Sequence, residues 1–334
     1  KGGNNMSISK NILLLVCSVG FLAVSYSTAS AANWQQVTKA AKTEGKVALY
    51  LAKSNAQAKA LLTAFEKKFG IKGTWLRGSA RAQSARLRGE LKAGKPQADV
   101  FYTAGPISHS GIAKITKIWV PDGPNAKNWP KEYMFPHGSA QMTADPVVII
   151  YNTNKVKPAP TDYKDMIAKK YITAVGSPAS VFRTAYYYKT RKLLGEGFWK
   201  SIAKAGIVTG PSVNALIQGV AAGETDISLA FAWQAAGLKR KGAPINWVTP
   251  KSKIWALTQW AMALESGPSP NAGKLLLDYM MGSEGQAILN TDGGVSVIGK
   301  GSIPANVNEE EMTAQLAINL TKWWEKTFHK AIPQ

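Results

Sequence analysis

The run from Gly45 to Ala104 constrains this chain more than any other feature. Lys46–Leu51 is an apolar strand, and Leu61, Leu62, Phe65 and Phe69 form one helical stripe that stops at Gly70. A strand over 71–76, a helix over 79–91 and a strand over 98–102 follow, with polar residues just past each strand. Strand, helix, strand, helix, strand in this order predicts a parallel sheet. Its crossover connections leave strand ends and helix starts facing one crevice, where a ligand can sit.

The first residues concern addressing. Met6 and Lys10 precede an apolar core through Ile12–Val16 and Gly20–Val24, and Ala29-Ser-Ala31 supplies a small-x-small cleavage pattern. The expected cut falls after Ala31, so residues 1–31 are set apart as upstream sequence and export signal. The apolar stretch is short and interrupted by Ser18, which argues against a membrane anchor.

Cys17 is the only cysteine and leaves with the signal, so no zinc finger, iron–sulfur cluster, disulfide or cysteine nucleophile is expected in the mature chain. His109, His137 and His329 are too far apart for a local metal motif and read as surface or loop residues. No metal and no cofactor is expected. The formal charge of +21 falls to +19 when Lys1 and Lys10 leave. The basic residues are spread along helices and not gathered in one arm, which, with export, argues against nucleic acid. Such a field favours anionic partners.

The mature chain opens with a helix carrying Trp34, Val37, Ala40 and Ala41. A Pro- and Trp-rich loop follows the 98–102 strand, and Pro146–Thr153 begins a second unit. That unit continues with a strand over 172–175, a helix from about Phe182, a helix with Val213, Leu216, Ile217 and Val220 that stops at Gly223, and a strand over Ile227–Phe231. A strand over 258–264 and a helix through Leu275, Leu276, Tyr279 and Met280 come next. Ser283-Glu-Gly-Gln286 has capping-box spacing, and a last helix bears Leu316, Leu320, Trp323 and Trp324.

Three blocks in order resemble the periplasmic substrate-binding proteins of ATP-driven importers, of the ferric-iron type. They are Glu44–Tyr50 with Ala98–Thr103, Val147–Thr153, and Pro270–Met280 running into Ser283–Leu289. The resemblance implies an α/β, two-lobed type II periplasmic binding protein fold. Each lobe would have a central, mostly parallel sheet flanked by helices, with the ligand cleft between lobes. Residues 32–142 and 263–334 would form lobe one and 143–262 lobe two, joined by crossing strands near Ala140–Pro146 and Thr258–Ala263. It also implies a small-molecule ligand, an inner-membrane ABC permease as partner, a monomer, and a periplasmic location.

Ferric members of the family present a His or similar donor after the first strand, a Glu after Phe-Tyr-Thr, and a Tyr-Tyr pair after the strand that here ends at Phe231. This chain has Lys53-Ser-Asn55, Ala104 and Phe231-Ala-Trp233 there. Each departure removes a donor of the anionic-oxygen kind that Fe³⁺ requires. Tyr186-Tyr-Tyr188 lies on a helix, where consecutive residues point about 100° apart, so all three cannot converge on one ion.

The loops expected to reach the cleft carry Ser54, Asn55, Ser79, Arg81, Tyr102 and Thr103 from lobe one. Ser180, Phe182, Arg183, Thr184, Phe231 and Trp233 come from lobe two. Helix starts with hydroxyl and guanidinium groups suit a carboxylate or phosphate. Phe231 and Trp233 offer a platform for a carbon skeleton. The expected ligand is therefore a small organic anion, carboxylate, phosphorylated or phosphonate, with ferric iron as the alternative. No hydrolase elbow, phosphate-binding loop or dinucleotide fingerprint is present, so an enzyme on the same fold is the remote reading, and no catalytic residue is assigned.

Overall fold

The computed structural model describes residues 33–168, 171–176, 178, 181–210, 212–252, 255–298 and 314–328. The leader with its cut after Ala31, Ser180 and His329 lie outside the described residues, as do the side chains of Phe182 and Arg183.

Helix α1 covers residues 33–44 and leads into β1 (Lys46–Leu51). Helix α2 (Asn55–Phe69) starts at Ser54, whose side chain accepts from the Gln57 N–H, and stops at Gly70. There the chain turns left-handed (φ 73°), which glycine adopts without steric cost. β2 (Lys72–Arg77), α3 (Ala80–Lys92), β3 (Val100–Ala104) and α4 (Pro106–Ala113) complete the first block. β1 pairs in parallel with both β2 and β3, as the alternating order predicts.

β4 (Ala140–Asn152) is one buried 13-residue strand running from the first lobe into the second. α5 (Asp165–Ala168), β5 (Thr173–Gly176), α6 (Val181–Ala205), β6 (Ile207–Gly210), α7 (Val213–Ala222), β7 (Ile227–Phe231), α8 (Ala232–Arg240) and β8 (Ile245–Val248) build lobe two. β9 (Ala256–Ala263) crosses back antiparallel to β4 and β3. α9 (Pro270–Met281), α10 (Ser283–Leu289), β10 (Val295–Ser296) and α11 (Ala314–Phe328) follow. The strands form one sheet in the order β2-β1-β3-β9-β4-β7-β5-β6, with β10 and β8 also on β4.

Pro146 sits in the middle of β4, where a proline would ordinarily remove a ladder hydrogen bond. It falls where β4 passes from β10 (at Thr143 and Ala144) to β7 (from Val147). The neighbouring Val147 N–H points the other way, to the Trp255 carbonyl. The missing donor therefore faces a gap between partners.

Among the described residues four apolar clusters pack around the sheet, the two largest one to each lobe. Lobe one packs Leu49, Leu51, Phe65 and Tyr102 against Leu276 and Met280, and lobe two packs Ile149, Tyr187, Trp199 and Phe231. Two carboxylates, the half-buried Glu44 and the buried Asp99, moor α9 to lobe one. Glu44 accepts from the Asn271 and Ala272 N–H groups, and Asp99 from those of Ala48 and Ser269.

Two expectations need correction. The C-terminal helices do not all return to lobe one: α9 and α10 do, but α11 packs on α6 and puts Leu320, Trp324 and Phe328 into the lobe-two core. The physical cause is its aromatic stripe, which meets Trp199 and Tyr187 there. Nor is there a capping box at Ser283. Gly282 is the N-cap of α10, and the Gln286 side chain instead donates to the Met280 carbonyl and accepts from Ser296. Gly285 lets α10 turn closely over the end of α9, because a Cβ there would lie 2.2 Å from the Tyr279 carbonyl oxygen. Gly285→Ala should cost about 1–3 kcal/mol through overpacking. Urea unfolding checks this, and an unchanged midpoint would contradict it.

Candidate functional site

Strand directions decide where a ligand can sit. β3 is antiparallel to β9, β9 to β4, and β4 to β7. β1, β2 and β3 therefore run opposite to β5, β6 and β7, and the carboxyl ends of the two sets face each other across the crossing strands. Each of these six strands is followed directly by a helix, α2, α3 and α4 in lobe one and α6, α7 and α8 in lobe two. None of the six helices has an acidic residue in its first turn. Of the other helices, α5 and α10 carry Asp165 and Glu284 there, and α9 and α11 carry no acid. The partial positive charge of each of the six starts is thus left uncancelled by its own sequence.

At the base of this cleft lies a buried ion pair. The Lys53 ammonium, just past β1, is 2.6 and 2.8 Å from the two carboxylate oxygens of Asp145 on β4. Both side chains are only 1% exposed. Gln259 of β9 donates to the same carboxylate at 3.0 Å. One carboxylate thus joins lobe one to both crossing strands. Trp233, at the start of α8, lies with its ring centroid 5.8 Å from the Lys53 ammonium, within cation–π range. Phe231 and Trp233 are parallel, 5° apart in plane and 6.2 Å between centroids.

The site residues expected from sequence divide into groups. Ser54 and Ser79 are helix caps, accepting from the N–H groups of Gln57 (3.1 Å) and Ala82 (3.2 Å). Asn55 and Arg81 are exposed at the starts of α2 and α3, and Asn55 accepts from the Trp75 indole. Phe231 ends β7 but is buried in the lobe-two core, and Trp233, half-buried beside it, is the ring left at the strand end. Tyr102, Thr103 and Thr184 are corrections. Tyr102 is wholly buried in the lobe-one core, with its hydroxyl 3.3 Å from that of Thr143. Burial, with Asp145 nearby, raises its phenol well above the ordinary range. Thr103 and Thr184 are also buried, bonded to His109 and to the Pro178 carbonyl. β3 is covered on both faces, so alternation sends Tyr102 into the core with Leu49 and Leu276 and Thr103 to the other side, against His109, and both are buried. The sequence marks Lys53 only as standing where ferric members have a donor, and it does not single out Asp145 or Gln259. An acid inside the apolar run Ala144–Ile150 was the available signal.

His109 also departs from expectation. It is fully buried, with Nε2 3.3 Å from Thr103 Oγ1 and Nδ1 3.3 Å from Ser139 Oγ. Ser139 Oγ is in turn 3.0 Å from His137 Nε2. Burial lowers the His109 pKa to about 3, with repulsion from His137 adding to it. Tyr186 and Tyr187 are core residues of lobe two, and burial raises the Tyr186 phenol well above its usual value. Burial thus works against the phenolate form of Tyr186 that a ferric ion demands.

A comparison with curated proteins returned no match. Among solved structures, a substrate-binding protein of an ABC transporter from Agrobacterium tumefaciens superposes with a TM-score of 0.71 at 16% identity, covering 85% of this chain and 96% of that one. The periplasmic binding protein AfuA from Actinobacillus pleuropneumoniae, with fructose-6-phosphate bound, gives 0.63 at 18%, covering 86% and 99%. The Trichodesmium protein IdiA (FutA), in complex with iron and citrate, gives 0.63 at 20%, covering 86% and 100%. These likenesses show the two-lobed periplasmic binding fold. The family described as "Bacterial extracellular solute-binding protein" matches residues 48–294, which run from within β1 through the other five cleft strands and both crossing strands. With strand ends facing across a double crossing and a match of that length, the chain belongs to the bacterial extracellular solute-binding protein family.

Proposed function

We propose that this protein is the periplasmic solute receptor of an ABC importer. It captures a small organic anion, carboxylate, phosphorylated or phosphonate, by closure of the lobes and delivers it, as a monomer, to an inner-membrane permease. It acts by binding and not by catalysis. The observation that carries the reading is the set of six helix starts on the cleft, none with an acidic residue in its first turn. Such starts hold unpaired N–H groups toward a ligand and favour negative charge. Two structural neighbours hold fructose-6-phosphate in one case and iron with citrate in the other, and both organic molecules are anions.

Arg183 in the first turn of α6 and Arg81 in the first turn of α3 supply the guanidinium contacts, and Trp233, backed by the parallel ring of the buried Phe231, the platform for the carbon skeleton. Ferric iron fits less well, since the phenols of Tyr186 and Tyr187 are buried in the lobe-two core.

The test is native mass spectrometry of protein purified from periplasm without chelator or refolding. An adduct of organic mass, lost on denaturation, is expected. An iron-mass adduct with tyrosinate absorption would overturn the reading. Against the recovered solute, Arg183→Ala should weaken binding about tenfold or more, the scale of one lost charge-assisted hydrogen bond. Titration calorimetry reads this, with the thermal midpoint unchanged. Equal affinity would remove Arg183 from the site.

A further inference from the structure

Helix α8 belongs to lobe two by its place in the chain and its packing on β4 and β8, yet it touches lobe one at both ends. At its start, Trp233 lies over the Lys53 ammonium, which pairs with Asp145 on β4, a carboxylate that also accepts from Gln259 on β9. At its end, Arg240 pairs with Asp292 at 2.6 Å. Asp292 lies in the turn Thr291–Gly293 that follows α10, and the Gln57 amide of α2 anchors that turn by donating to the Leu289 and Thr291 carbonyls.

The turn is shaped to approach α8. Asp292 and Gly293 both have positive φ, 64° and 90°. A Cβ on Gly293 would lie 2.9 Å from the Cβ of Ala232. Ala232, Ala236 and Arg240 are spaced four apart and share one helical stripe, so two small buried residues leave room for the turn and the long Arg240 reaches its carboxylate. A non-glycine residue in the left-handed region is uncommon and persists where surrounding contacts hold it. Here Arg240 holds it.

We infer that α8 is the bearing on which lobe two rests against lobe one. The Lys53–Trp233 contact lies under one end and the Arg240–Asp292 pair under the other, and together they set the angle between the lobes in the absence of solute. The turn leads directly into β10, which pairs with the crossing strand β4. A change at the bearing is thus transmitted to the hinge itself. Solute-driven closure would then work against a defined resting angle and not a free hinge. This use rests on the lobe-closure reading, whereas the bearing itself can be tested without solute.

The experiment is a distance measurement between spin labels at Lys92→Cys in α3 and Lys200→Cys in α6, in a background lacking Cys17 and without added ligand. Both positions are exposed and lie on opposite lobes. Arg240→Glu, which places two like charges at the contact, is expected to broaden the distance distribution. The population of alternative lobe angles should rise about fivefold, the scale of one partly exposed pair. Adding Asp292→Arg to that variant restores the attraction and should restore the narrow distribution. Gly293→Ala, which acts by bulk and not charge, should broaden it as well. Identical distributions in all variants, or a charge swap that fails to restore the parent, would overturn the inference. Failure to find an organic anion by mass spectrometry would leave these distances untouched, so the two readings fall separately.

Discussion

Asp145→Asn is expected to lower stability by about 3–5 kcal/mol, because it leaves the Lys53 ammonium buried without its counter-charge. The asparagine keeps the shape of the site, so the loss isolates charge from packing. Lys53 is 1% exposed and cannot turn to solvent without opening the base of the cleft. The Gln259 amide, which now donates to the carboxylate, supplies no compensating negative charge. Urea unfolding at neutral pH reads the change. The double variant Lys53→Met/Asp145→Leu should recover most of the loss, since removing both charges leaves neither stranded. A single variant within about 1 kcal/mol of the parent would place the pair with exposed ion pairs of little consequence.

The second large effect is a pH dependence centred on His109. Its pKa in the folded protein is lowered to about 3 from an ordinary value of 6.5. Between these values the unfolded chain binds a proton that the folded one refuses, so stability rises with pH. The contribution is fully present above about pH 6.5 and is lost as pH falls toward 3. Asp99 acts in the opposite sense, because burial raises its pKa to about 6. Its contribution is present below 3.8 and lost as pH rises through 6. Between about pH 4 and 6 the Asp99 contribution therefore offsets that of His109 in the parent. His109→Gln removes one of the two. The variant is destabilised at pH 7 by loss of the contacts to Thr103 and Ser139. Its deficit relative to the parent should shrink by about 3 kcal/mol between pH 7 and pH 4. Paired urea titrations at the two pH values measure this, and a constant deficit would mean that His109 is protonated in the fold.

Much of the fold was legible because it rests on local signals. The strand Lys46–Leu51 and the strand Ile227–Phe231 stand where apolar runs placed them, and α2 stops at the glycine that ends its stripe. Ser54 and Ser79 could be read as caps and as cleft residues alike, and the structure gives them capping bonds at the cleft edge. The site was less legible. Tyr102 and Thr103 lie near the end of a strand that points at the cleft, but they face opposite sides of the sheet and packed elements cover both sides, so both are buried. The misplacement of α11 has a similar cause. Its stripe of Leu320, Trp324 and Phe328 requires an apolar partner but does not say which lobe provides it.

The chain by itself therefore determined the order of strands and helices, their caps, and the absence of acids from the helix starts at the cleft. Each of these depends on residues within one or two turns of one another. Only the tertiary structure decided that Lys53 meets Asp145, 92 residues away, that His109 is sealed between Thr103 and Ser139, and that α8 touches lobe one at both ends. A buried charge is tolerable only where its partner arrives with good geometry. That partner is chosen by the register of β4 against β9 and not by anything near Lys53 in the chain.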